Sequence, residues 1–112
     1  MKDDSIFIKH ILESIGYIDN FSKKLSKDKF LKDRLKQSAI IRELEIIGEA
    51  SKNLSANFRK NNKKIEWNLI AGFRDKLIHH YFGINLERVW NIIEKDLPRL
   101  KEEIGKIKDF DG

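Results

Sequence analysis

Cysteine is absent from the 112-residue chain, which removes disulfides, thiolate nucleophiles and Cys-ligated zinc together and suits a reducing compartment. Proline occurs once, at Pro98, so little interrupts helix formation. No apolar run exceeds three residues and the sequence opens Met-Lys-Asp-Asp, so neither a membrane span nor a signal peptide is expected. The protein reads as soluble and cytoplasmic. A hydrophobic content of 40% supports one core and hence one domain over residues 1–112. A large or paired active site would need a second subunit.

What is present is helical periodicity. Apolar residues recur at three- and four-residue steps over long stretches, which predicts an all-α domain, an up-and-down bundle of four main helices. The first is expected over residues 4–25, with Phe7, Ile11, Ile15, Ile18, Phe21 and Leu25 as its apolar stripe and Asp3 or Asp4 as its cap. After a Lys/Asp-rich connection at 26–29, the second and longest helix carries Leu31, Leu35, Ile40, Leu44, Ile47 and Leu54, extending toward Phe58. Gly48 inside it costs about 1 kcal/mol of helix propensity relative to alanine. A close helix–helix contact would explain that glycine, and Gly16 is read in the same way. A basic connection at 56–65 leads to a third helix from near Trp67, with Leu69, Ile70, Phe73 and Leu77 facing inward. Gly83 ends it, and Asn85 caps a fourth helix bearing Leu86, Val89, Trp90, Ile93, Leu97 and Leu100. Pro98 is expected to kink or restart that helix, and the polar tail at 106–112 to fray. Trp67 and Trp90 occupy apolar helical positions, which favours core packing over base stacking, and His10 reads as a surface or partly packed residue.

The formal net charge of +5 is local. Residues 51–65 hold Lys52, Arg59, Lys60, Lys63 and Lys64 and no acid, and the rest of the chain is balanced. Arg59, Lys60, Lys63 and Lys64 are candidate RNA contacts, because such a block attracts a phosphate backbone. A basic, Asn-rich segment is also an ordinary solvated connection.

The stretch RDKLIHHYF at residues 74–82 concentrates chemistry. Arg74 is a permanent cation with donors for phosphate oxygens, His79 is an acid or base that works near neutrality, and Tyr81 adds a phenolic hydroxyl. Together they fit phosphoryl chemistry on RNA: an imidazole removes the 2′-hydroxyl proton, the freed oxygen attacks phosphorus, and a guanidinium stabilises the phosphorane. No metal or cofactor is required for this, and the adjacent His79 and His80 make a poor metal pair. On a regular helix Arg74 and Tyr81 share a face, but His79 falls about 140° away from Arg74. Either the helix loosens near His79 and Gly83, or a symmetry mate completes the site. The second is favoured. Glu45 and Glu49 lie four apart on the second helix and could orient Arg74 or His79, or simply form a solvated face.

The segments AIIRELEIIGEASKNLS (residues 39–55) and IEWNLIAGFRDKLIHHYFGINLERVWNIIEKDLPRL (residues 65–100) resemble the HepT-type toxins of the HEPN superfamily. The glycine of EIIGEA, the tryptophan of IEW, the Arg-x4-His-x-Tyr set and the VW…DLP segment occur in the family's order. The resemblance implies a HEPN-like helical bundle that dimerises, placing two Arg-x4-His-x-Tyr motifs in a shared cleft. It implies a metal-independent endoribonuclease, the toxin of a toxin–antitoxin pair. Arg74 would stabilise the phosphate, His79 would act as acid/base, and Tyr81 would help to position the phosphate. Asp75 fits the family's polar residue after the arginine, and His80 fills a variable position. The implied partner is an MntA-type nucleotidyltransferase antitoxin that uses ATP to attach AMP to the motif tyrosine, here Tyr81. That bulky anion would occupy the phosphate site and repel RNA.

Two other readings of the residues stand beside this one. A non-catalytic helical module could bind a nucleotidyltransferase and accept its AMP, or a generic basic bundle could bind nucleic acid through Lys60, Lys63 and Lys64. Both make His79 dispensable.

Overall fold

Helices begin where a side chain can accept the first unpaired N–H groups, and the chain uses that device repeatedly. In the computed structural model, which describes residues 3–79 and 85–107 except for the side chains of residues 74–79, seven α-helices and one π-helical turn are found. They are α1 (Asp4–Ser22), α2 (Lys27–Lys32), α3 (Arg34–Lys52), α4 (Ala56–Asn61), α5 (Trp67–His79), α6 (Leu86–Asn91), the π turn (Ile92–Asp96) and α7 (Leu97–Gly105). No strand is present among the described residues. Ser26, Asp33, Ser55 and Asn85 cap α2, α3, α4 and α6 by accepting the backbone N–H three positions on.

α1, α3, α5 and the continuous α6–π–α7 segment are the four main helices. α3 packs against both α1 and α5. The start of α1 meets the end of α3 through Asp4 and Ser55, and Lys36 near the start of α3 lies over Phe21 near the end of α1. The two helices therefore run antiparallel. Ile8, Ile11, Ile15 and Ile18 of α1 are buried in one core cluster with Ile40, Leu44 and Ile47 of α3, Ile70 and Phe73 of α5, and Val89, Trp90, Leu97 and Leu100. Each such side chain contributes about 1.5–3 kcal/mol of burial. Trp67 and Trp90 are core residues, and His10 is exposed.

Several expectations are corrected. The connection at 26–29 is mostly helix α2, which buries Phe30 completely and tilts its ring onto Trp90 at 5.4 Å. The basic connection at 56–65 contains α4. The expected second helix is thus three helices, and α3 equals α1 in length at 19 residues. Leu35 is 80% exposed, not core. Asp3 stands at the N-cap of α1 without a side-chain cap bond, and Asp4 accepts from Ser55 instead. A Cβ at the exposed Gly16 would meet nothing within 4 Å, so no close contact explains that glycine. Gly48 is buried on α3.

Pro98 restarts the fourth helix. It lies in the first turn of α7, and just before it the Leu97 N–H donates to the Ile92 carbonyl, a five-residue step. Proline has no N–H to give the ordinary four-residue bond, and the wider turn accommodates that loss.

Candidate active site and basic surface

Trp67 sets where α5 begins. Its side chain is 6% exposed, its indole N–H donates to the Asn62 carbonyl at 3.1 Å, and its ring lies 6.0 Å from Phe58. Ile70 and Phe73 then turn inward from α5. This leaves the rest of α5 to carry Arg74, Asp75 and His79, whose side chains lie outside the described residues. Tyr81, His80 and Gly83 lie outside them altogether. α-Helical backbone runs through His79, so the helix does not loosen before that residue. Helix geometry therefore separates Arg74 and His79 by about 140° around the axis.

Glu45 and Glu49 are on α3, the helix that packs on α5. The Glu45 carboxylate is 25% exposed and pairs with Arg42 at 3.7 Å, one turn away on its own helix. The Glu49 carbonyl accepts from the Asn53 amide at 2.9 Å.

The four candidate RNA-contacting cations are brought together. Arg59, Lys60 and Lys63 line an open groove of about 630 Å³ beside the first turn of α5. Lys63 and Lys64 line an adjoining one of about 300 Å³. Arg59 is half-buried, and its Nε is buried without an acceptor among the described residues, which costs about 1–3 kcal/mol.

Sequence reasoning missed what fixes this surface. The Asp4 carboxylate accepts the Ser55 N–H and the Ser55 hydroxyl, both at 2.8 Å, while Ser55 Oγ accepts from the Phe58 N–H at 3.1 Å. α1 thereby holds the start of α4. The local signal was Ser55 three positions before Phe58, an N-cap spacing hidden inside a segment that composition marks as loop.

Among the described residues no three His, Asp or Glu side chains gather as a metal site, and no helix is long and apolar enough to cross a membrane.

A family model described as ribonuclease HepT-like matches residues 11–107. A gamma-glutamylcyclotransferase and putative RNase of Methanocaldococcus jannaschii is 46% identical over 108 residues, which is 96% of this chain and 49% of that protein. This chain thus spans about half the length of that relative. A putative RNase of the same organism is 46% identical over 112 residues, covering 99% of this chain and 93% of the relative. A probable ribonuclease HepT of Thermococcus cleftensis is 40% identical over 102 residues, 91% of this chain and 93% of that one. No solved structure matches.

Proposed function

The chain belongs to the ribonuclease HepT-like family, and on that premise we propose that it is a metal-independent endoribonuclease, the toxin of a toxin–antitoxin pair, acting as a homodimer. The observation that carries this reading is the Arg-x4-His spacing on one uninterrupted helix, α5, in a chain matched to that family almost end to end. The 140° separation between Arg74 and His79 supports a second copy, because a single regular helix cannot point both at one phosphate.

In the proposed reaction His79 takes the proton of a 2′-hydroxyl. The resulting oxygen attacks the adjacent phosphorus, the bond to the 5′-oxygen breaks, and an imidazolium returns a proton to that leaving oxygen. The products are a 2′,3′-cyclic phosphate and a 5′-hydroxyl. Arg74 stabilises charge on the phosphorane oxygens, and Tyr81 positions the phosphate. Asp75, Glu45 and Glu49 are supporting residues at most, with Glu45 already engaged by Arg42. AMP attached to Tyr81 by an MntA-type nucleotidyltransferase would place an anion where the RNA phosphate must sit, silencing the enzyme.

His79→Ala tests this assignment. Cleavage of end-labelled RNA should fall at least about 100-fold, while Tyr81 still accepts AMP from the nucleotidyltransferase and ATP, as read by mass spectrometry. Cleavage that survives the substitution contradicts the role of His79.

A further inference from the structure

Arg59, Lys60, Lys63 and Lys64 lie within six positions, and among the described residues none of them is in an ion pair. Lys106, beside the smaller groove, differs in being paired with Glu103 at 3.6 Å. Among the described residues lining the larger groove, Glu66 is the one acid beside the three cations. The backbone carrying these cations is anchored at two points, by Asp4 on Ser55 at the start of α4 and by the Trp67 indole on Asn62, between Lys60 and Lys63. A groove with excess positive charge on a fixed backbone matches a phosphate chain. Trp67, almost fully buried, offers no stacking platform, so recognition would rest on charge and tolerate any base sequence.

Position decides what such a chain could be. The groove lies at the first turn of α5 and His79 ends that helix, so the two are about 18 Å apart along its axis. A phosphate held in the groove cannot be the one cleaved beside His79 of the same chain. We infer that the groove binds a flanking stretch of single-stranded RNA substrate, set back from the cut, so that the enzyme selects substrates by length. At 3.4 Å per stacked nucleotide, 18 Å corresponds to about five nucleotides, and an extended strand spans it with fewer. The strand is single because in-line attack by a 2′-hydroxyl needs a backbone free to leave helical geometry. This inference rests on the ribonuclease reading.

The test compares wild type with the Lys60→Ala/Lys63→Ala double variant on RNAs of about 4 and about 20 nucleotides. Both residues are exposed, and circular dichroism checks the fold. The ratio of kcat/KM for the long RNA to that for the short one should fall about tenfold in the variant, from two lost phosphate contacts. Lys60→Arg/Lys63→Arg should restore it. In parallel, anisotropy of the labelled long RNA is measured with both proteins carrying His79→Ala, so that binding is read without cleavage. Four phosphate contacts predict an affinity loss of about 50-fold between about 50 and 200 mM salt, and two predict about sevenfold. An unchanged length ratio with equal salt slopes overturns the inference. If wild type cuts no RNA, the ribonuclease reading fails separately, and the two salt slopes still uphold or overturn the groove.

Discussion

Asp4 shows how far one residue's role can lie from its sequence neighbours. Its position before a helix suggests a cap, yet its carboxylate holds Ser55, 51 positions away. No local pattern could reveal that, because the pair exists only once α1 and α3 lie side by side. Asp4→Ala should therefore cost about 2 kcal/mol, from two hydrogen bonds to a charged acceptor. Urea unfolding would detect the loss, with the exposed Asp3→Ala variant staying near wild type. Equal stabilities of the two variants would contradict the anchoring role of Asp4.

Among the elements, those with strong periodicity were legible. α1, α3, α5 and the cap at Asn85 follow from apolar spacing and cap chemistry. The six-residue helices α2 and α4 were not legible, since each is too short to show a repeat. Their clues were the caps Ser26 and Ser55, and Phe30 was lost with α2. Leu35 matched the helical spacing but sits in the first turn of α3, where it is exposed. Pro98 was legible as a break, though its accommodation by a π turn was not. That turn makes a prediction of its own. With the ordinary bond already absent at this position, Pro98→Ala should alter stability by less than about 1 kcal/mol. A gain near 3 kcal/mol, expected when proline leaves an α-helix interior, would contradict it. Thermal unfolding of the two proteins decides.

For the whole molecule, side-chain identities suggested a chemistry for the candidate site, while its assembly was not legible. By residue type Arg74 suits phosphate binding and His79 suits proton transfer, but α5 alone does not converge them. The basic block was legible as charge, and only the fold separates it from His79 by the length of a helix. If each site takes Arg74 from one copy and His79 from the other, Arg74→Ala and His79→Ala proteins should complement. After subunit exchange half the dimers are mixed and each holds one complete site, giving about a quarter of wild-type cleavage. No recovery on mixing, with exchange verified by mass spectrometry, would place both residues of a site in one chain. Beneath these tests lies the claim that the chain cuts RNA by proton transfer without a metal. The most direct measurement is cleavage of end-labelled RNA by purified, AMP-free protein in excess EDTA, with the new ends identified. Fragments ending in 2′,3′-cyclic phosphate at an undiminished rate are expected. Cleavage abolished by EDTA and restored by a divalent cation, or ends bearing a 3′-hydroxyl, would contradict it.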